Sequence, residues 1–135
     1  MATILAHIQV KPGMEARFEE IARDLYKGTH DHEKDVRRYE YWRGAEKGTY
    51  YTLLSFDDWH SFLVHQSSPH HETAGPGLGE VMAGIKLEWV DPIASASPLA
   101  PTNAQSAPQT DNPVLARYAQ AMPAVPQEWW QPLRK

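Results

Sequence analysis

The sequence contains no cysteine among its 135 residues. This excludes disulfide bonds, thiolate nucleophiles, iron–sulfur clusters and cysteine-ligated zinc, and it is compatible with the reducing cytoplasm in which we expect the protein to reside. Long apolar runs are also missing, since no stretch approaches the roughly 18 apolar residues of a membrane span. The first residues lack a basic segment followed by an apolar one, so we expect neither a signal peptide nor a membrane partner.

Basic residues are few relative to acidic ones. The chain carries 13 Lys and Arg against 17 Asp and Glu, which gives a net charge of −4. Its longest basic runs are pairs, Arg37-Arg38 and Arg134-Lys135. Because affinity for nucleic acid depends on neutralising phosphates with Lys and Arg, we expect no nucleic-acid partner.

The hydrophobic pattern at the start of the chain predicts a strand followed by a helix. Residues 3–11 alternate apolar and polar side chains with period two, which is typical of a half-buried strand. A helix should follow and end near Gly28, because apolar residues then recur at the spacing of one helical face. These apolar residues are Met14, Phe18, Ile21 and Leu25.

A hairpin and a second helical region are predicted next. Residues 36–43 and 50–56 have the composition of two strands joined by a short turn. Asp57 or Asp58 can cap a short helix, which Ser67-Ser68-Pro69 then interrupts or restarts.

The last part of this region is predicted to end in a strand. The glycine-rich residues 75–79 lack the lysine of a phosphate-binding loop and do not follow a strand, so we interpret them as a flexible approach to a pocket. A helical turn or two should follow and stop at Gly84, and residues 85–90 alternate as a strand.

The resulting order is strand, helix, strand, strand, helix, strand. It predicts an α+β fold of the ferredoxin-like split βαβ type, with both helices on one face of a four-stranded sheet. The other face would carry Leu5, His7 and aromatic side chains of the hairpin. A bare and partly apolar sheet face favours packing against a second copy, so we expect a homodimer.

Residues 1–93 are therefore expected to form one domain, followed by two segments of different composition. Residues 94–113, the linker, are rich in proline and alanine and contain one charged residue, Asp111, as suits an extended segment. Residues 114–135, the tail, combine a weak apolar stripe with the pair Trp129-Trp130, which predicts a short helix and docking. Docking on the protein's own dimer, closure of the pocket and binding of another protein all remain open.

Three stretches carry a resemblance to a known family. Lys11-Pro12-Gly13 lies between the first strand and helix, and Arg38-Tyr39-Glu40 occupies the second strand. The third stretch consists of Phe56-Asp57-Asp58-Trp59, Phe62, His65 and Ser68-Pro69-His70-His71. Over about residues 2–92 the chain resembles the antibiotic biosynthesis monooxygenase family of the dimeric α+β barrel superfamily.

The resemblance implies an enzyme that converts phenols or quinols to quinones with O2 and without a cofactor, in a dry pocket between sheet and helices. Its expected partners are a small aromatic molecule, O2 and a second subunit. Quinone-forming members would place Asn, Trp and Tyr at Thr52, Phe56 and Phe62, so three polar groups are lost here. The pocket Asn and Trp of haem-degrading members correspond to Ala6 and His65, which disfavours haem chemistry.

The histidines are the candidate catalytic residues. A neutral imidazole can accept a phenolic proton near pH 7, so His65 and His70 are the candidate bases, although a purely structural role is an alternative. No metal is expected, because a five-residue separation places these two on different sides of a regular helix. The candidate substrate-binding residues are Thr52, Phe56, Trp59, Phe62 and His71.

Two functional hypotheses of different classes follow. The first is a cofactor-independent monooxygenase acting on a phenolic or quinol-type molecule, which the histidines favour. The second is a non-catalytic dimeric module that binds an aromatic ligand or a partner protein, which the loss of polar pocket groups favours. An isomerase of the muconolactone type would use the same fold.

Overall fold

The computed structural model describes residues 1–134, and no helix within them is both long and apolar enough to cross a bilayer. The strands are β1 (Ala2–Val10), β2 (Val36–Arg43), β3 (Thr49–Phe56) and β4 (Met82–Trp89). The helices are α1 (Glu15–His32), α2 (Trp59–Gln66), α3 (Pro69–Val81) and α4 (Pro113–Ala121), with a 3₁₀ helix at Glu128–Leu133.

The four strands form one antiparallel sheet in the order β2-β3-β1-β4. In the centre, Ile4 of β1 lies opposite Leu54 of β3 and Trp89 of β4, on the side where α1 to α3 pack. This arrangement confirms the predicted α+β fold. The buried side chains of this side include Ala2, Ile4, Ala6, Ile8, Val10, Phe18, Leu25, Phe62 and Leu63.

The opposite side of the sheet is the one predicted to be free of helices. Leu5 and His7 of β1 lie on it, and the His7 ring packs edge-on against Tyr51 of β3 with centroids 5.6 Å apart. Trp42 of β2 pairs with Tyr51 on the same side and is 59% exposed. Trp42, Tyr51 and Leu5 place apolar side chains on this one face, and a grouped apolar surface is typical of one that a partner covers. The homodimer stays a prediction.

Helix α1 continues past Gly28 to His32, so the predicted end at Gly28 is wrong. A Cβ atom on Gly28 would lie 3.0 Å from Cγ of His70 and 3.1 Å from its Cβ. Gly28 therefore permits the close approach of α1 and α3 and does not act as a stop. The additional turn extends the buried face of α1 to Thr29 and brings Glu33 to the helix end.

The glycine-rich residues 75–79 lie within α3, so the predicted flexible approach is also wrong. The Ser68 hydroxyl oxygen accepts a hydrogen bond from a backbone N–H of the first turn, and Pro69 occupies the first helical position. A Cβ atom on Gly77 would lie 3.1 Å from Cδ1 of Ile21 in α1. Tight packing between the two helices thus outweighs the low helix propensity of glycine and proline.

Strand β4 begins earlier than predicted, at Met82, and includes Gly84. A register shift between Gln9 and Val10 of β1 accommodates this start, because Gln9 pairs with Gly84 and Val10 with Met82. Gly84 is therefore part of an irregularity in the strand pairing, a common position for glycine.

The linker is held by hydrogen bonds to its own chain. The Thr102 hydroxyl donates to the carbonyl oxygen of Val90 at 2.6 Å, and Thr102 is fully buried. The Asn103 N–H donates to the carbonyl oxygen of Met1 at 3.2 Å. The segment consequently follows the ends of β4 and β1.

The tail begins with α4, which packs against α2. The Asn112 side chain caps the helix, and Leu115 enters the core. Trp130 is buried, whereas its neighbour Trp129 is 66% exposed. Lys135, the last residue of the predicted tail, lies outside the described residues, and the division into domain, linker and tail stays a prediction.

Candidate active site

Glu33, His65 and His70 meet at the junction of α1, α2 and α3 and form a carboxylate–histidine cluster. Oε1 of Glu33 lies 3.0 Å from Nδ1 of His65 and 2.6 Å from Nε2 of His70, and Oε2 lies 3.1 Å from Nδ1 of His65. The side chains of Glu33 and His65 are 9% and 1% exposed. A carboxylate buried to this degree needs hydrogen-bond donors, and the two imidazoles supply them.

The ends of three helices position these side chains. Glu33 directly follows α1, and its N–H donates to the carbonyl oxygen of Thr29 at 2.9 Å. His65 lies in the last turn of α2 and His70 in the first turn of α3, so the break between these helices turns both rings toward Glu33. The Ser68 hydroxyl holds the break by donating to the carbonyl oxygen of His65 at 2.7 Å.

The protonation of the cluster follows from its hydrogen bonds. Burial by itself would raise the pKa of Glu33, but hydrogen bonds from His65 and His70 and the proximity of both rings hold it below its usual range. Glu33 is therefore a carboxylate at neutral pH. In a neutral His65 ring the proton on Nδ1 then points to Glu33, which leaves Nε2 unprotonated.

Nε2 of His65 is buried and has no hydrogen-bond partner within residues 1–134. Two other buried atoms in that range share this property, Nδ1 of His71 and Oγ1 of Thr52. The rings of His71 and His65 pack edge-on with centroids 5.1 Å apart, and burial, reinforced by His65 and His70, lowers the pKa of His71 to about 4. Buried polar atoms without partners are rare in folded proteins, and an ordered water or a polar group of a ligand can satisfy them.

A pair of buried tyrosines forms one wall of the cluster. The ring of Tyr39 meets that of His65 edge-on with centroids 4.8 Å apart, and its hydroxyl lies 2.7 Å from that of Tyr41. Burial raises the pKa of Tyr41 to about 12, and burial together with Tyr41 raises the pKa of Tyr39. Both phenols are therefore neutral at physiological pH, and both lie on the helix side of the sheet.

The structure brings some predicted site residues together and separates others. The three histidines lie together with Phe56, whose ring centroid is 5.2 Å from that of His65. Phe62 is one ring further away, 5.9 Å from Phe56. Trp59 is directed to the tail, where its indole N–H donates to the carbonyl oxygen of Met122 at 3.1 Å.

Two cavities border the core near these residues. One has a volume of about 640 Å³ and lies between α1 and strands β2 and β3, with Phe18, Tyr41 and Tyr50 in its lining. The other has a volume of about 750 Å³ and lies between β4, Phe62 and the tail; we call it the tail cavity. Neither of these two cavities is lined by a member of the carboxylate–histidine cluster.

Glu33 is the site residue that sequence reasoning missed. No candidate site residue was predicted between Gly28 and the strand that begins at residue 36. The available signal was its spacing, since Leu25, Thr29 and Glu33 follow one another at intervals of four and would share a face if the helix passed Gly28.

The cluster has ligand types that suit a divalent metal ion, and one ligand atom from each residue lies within 4.8 Å of the others. Two ligands at 2.0–2.1 Å from a tetrahedral ion are roughly 3.3 Å apart. Oε1 of Glu33 and Nε2 of His70 are only 2.6 Å apart, which is a hydrogen-bond distance. The arrangement is therefore that of two histidines donating to a carboxylate, and a metal ion would require the cluster to open.

Comparison with known proteins gives the family. In solved structures, a protein of Caulobacter crescentus CB15 provisionally described as an antibiotic biosynthesis monooxygenase is 26% identical, with a TM-score of 0.65 over 68% of this chain and 89% of that chain. A protein of Pseudomonas aeruginosa is 19% identical and has a TM-score of 0.64, with 69% of this chain and 94% of that chain covered. A protein of Mycobacterium tuberculosis is 18% identical and also has a TM-score of 0.64, with 71% of this chain and 98% of that chain covered. Both share the fold. No protein of curated function matches the sequence. The family model of the antibiotic biosynthesis monooxygenases matches residues 1–76, and the protein belongs to that family.

Proposed function

We propose that the protein is a cofactor-independent monooxygenase that oxidises a phenolic or quinol-type molecule with O2, and that His65 is its general base. The observation that carries this proposal is the environment of the His65 ring. Nδ1 lies 3.0 Å from a carboxylate oxygen, while Nε2 is buried and without a partner in the described chain. A histidine oriented in this way by a carboxylate is suited to accept a proton at its other nitrogen.

The reaction needs a proton acceptor because the phenolate reduces O2 more readily than the phenol. Nε2 of His65 accepts the phenolic proton, and Glu33 stabilises the imidazolium that forms. One oxygen atom of O2 then enters the ring and the other leaves as water, so that a phenol and O2 yield a quinone and water. The substrate supplies all the electrons, and the protein contributes the base and the surrounding dry site.

The surroundings of Nε2 support this role. Tyr39, Phe56 and His71 place aromatic rings within about 5 Å of the His65 ring. Such a site contains little water, so that the charged intermediates of the reaction interact strongly with fixed groups of the protein. Because the pKa of His71 is lowered to about 4, this neighbouring ring is neutral at pH 7. A neutral ring does not repel the positive charge that forms when His65 accepts a proton.

Oxygen uptake by purified protein tests the proposal. A panel of phenols and quinols that includes 1-naphthol is supplied to the wild type and to variants, and quinone formation is followed by absorbance. We expect His65→Ala to lower kcat about 10²-fold or more with ligand binding retained, and Glu33→Gln to lower kcat in the same direction. His30→Ala is the matched control, because His30 is an exposed histidine at the end of α1.

The outcome separates two functions. Unchanged turnover in His65→Ala would remove His65 from the mechanism. Binding of phenols without oxygen uptake by the wild type would favour the alternative, a non-catalytic module for aromatic ligands. The observation favouring that alternative is the apolar character of Phe56 and Phe62, which pack against each other and offer no hydrogen bond.

A further inference from the structure

The tail cavity is bounded by parts of the chain that are distant in sequence. Its floor contains the edge strand β4 and reaches Ile4 of the neighbouring strand β1 and Phe62 of α2, which are both 1% exposed. Its roof consists of tail residues, from the end of α4 to the 3₁₀ helix. The roof residues are Ala121, Met122, Pro123, Val125, Gln127, Trp129 and Trp130.

Hydrogen bonds hold this roof in place. Met122 receives two of them, from the Trp59 indole N–H to its carbonyl oxygen and from the Gln66 amide to its sulfur, each 3.1 Å long. Beyond the roof, the Arg134 guanidinium donates to both carboxylate oxygens of Asp91, at 2.7 and 2.9 Å. The roof is thus attached to α2 on one side and to the end of β4 on the other.

The chemistry of the cavity favours an apolar ligand. Most of its lining consists of aliphatic and aromatic side chains, and Lys86, Glu88 and Gln127 are its polar members. Three of the apolar side chains remain open to solvent: Ile85, Val125 and Trp129 are 53%, 48% and 66% exposed. Large apolar side chains grouped around a concave space mark a binding site for apolar molecules. A volume of about 750 Å³ is within the range of small-molecule sites.

We propose that the tail cavity binds a small, largely apolar molecule with an aromatic ring, and that the tail residues form the wall that selects it. Because the lining extends beyond β4 to Ile4 and Phe62, a small molecule fits the cavity better than a peptide strand, which would pair with the β4 edge alone. In taking this molecule to be the substrate, the inference rests on the proposed function.

The cavity is also connected to the carboxylate–histidine cluster by packed rings. Phe62 lines the cavity and lies 5.9 Å from Phe56, which lies 5.2 Å from His65. A ligand in the tail cavity is therefore two aromatic rings away from the proposed base. The rings of Phe62 and Phe56 thus separate the cavity from the His65 ring.

Titration of the full-length protein with 8-anilinonaphthalene-1-sulfonate in anaerobic buffer tests the inference, because this dye fluoresces in apolar cavities. We expect saturable binding by the wild type and about tenfold weaker binding by Trp129→Ala. Leu133→Ala is the matched control, since Leu133 is 67% exposed and belongs to the same 3₁₀ helix but does not line the tail cavity. Ala121→Trp, which fills the cavity from its roof, should also weaken binding.

The result does not depend on turnover. Absence of saturable binding by the wild type, or equal affinities in the wild type, Trp129→Ala and Ala121→Trp, would overturn the inference. Because the titration contains no O2, dye binding that depends on Trp129 upholds the cavity even if no phenol is oxidised. Conversely, oxidation of phenols with unaltered dye binding in the variants would uphold the proposed function alone.

Discussion

Acid should destabilise this protein through His71, before most carboxylates titrate. The His71 ring packs against His65, and it faces Tyr118 of α4 with ring centroids 6.4 Å apart. Its Nδ1 is buried without a partner in the described chain. Burial, together with the neighbouring His65 and His70, lowers the pKa of His71 to about 4, and the opposing effect of Glu33 is smaller.

The sign of the effect follows from comparing the two states. The usual pKa of histidine is 6.5, so between this value and about 4 the unfolded chain binds a proton that the folded chain does not. Stability is therefore lost as the pH falls through this window. The shift corresponds to about 3 kcal/mol in total, lost at up to roughly 1.4 kcal/mol per pH unit. Protonation of Glu33 causes a further loss of stability only below about pH 4.5, because folding lowers the pKa of this carboxyl group from its usual value of 4.5.

Urea unfolding followed by circular dichroism at a series of pH values between about 7 and 4.5 measures this slope. The variant His71→Phe keeps an aromatic ring and removes the titrating nitrogen, so its stability should fall less steeply with acid. His60→Phe is the matched control, because His60 is exposed on α2. Parallel pH dependence in the wild type and His71→Phe would show that His71 is not the buried neutral group inferred here.

Four further results are expected. Elemental analysis of the purified protein should find no stoichiometric zinc or iron, because Glu33 and His70 lie at hydrogen-bond distance; stoichiometric metal would refute this. Sedimentation should show that the wild type is a dimer, and a wild-type monomer would exclude the dimeric barrel. Leu53→Arg, a change on the sheet side predicted to be free of helices, should convert this dimer to monomers. Leu115→Ala should cost about 2–4 kcal/mol in urea unfolding, and an unchanged midpoint would mean that the tail is not docked. Gly28→Ala should lower the melting temperature, since its Cβ would lie 3.0 Å from the His70 ring; an unaltered melting temperature would contradict this packing.

Much of the fold could be predicted from the sequence, since its signals are local. The alternation of β1 and the apolar face of α1 reflect which side of one element meets the core. The caps at Asp58 and Asn112 are equally local, because each side chain bonds an N–H within the next three residues. Such features need no information about distant parts of the chain.

The candidate site depended on tertiary structure. His65 and His70 could be proposed from a motif, but their partner Glu33 follows a helix that was predicted to end at Gly28. That helix continues because α3 packs against it closely. The spacing of Leu25, Thr29 and Glu33 indicates a shared face only if the helix passes Gly28, and this depends on the contact with α3. The roof of the tail cavity arises in the same way, from contacts between the tail and α2. The sequence alone therefore determined the elements and the candidate histidines, whereas the carboxylate that orients His65 and the wall that borders Phe62 were decided by packing over long distances in the chain.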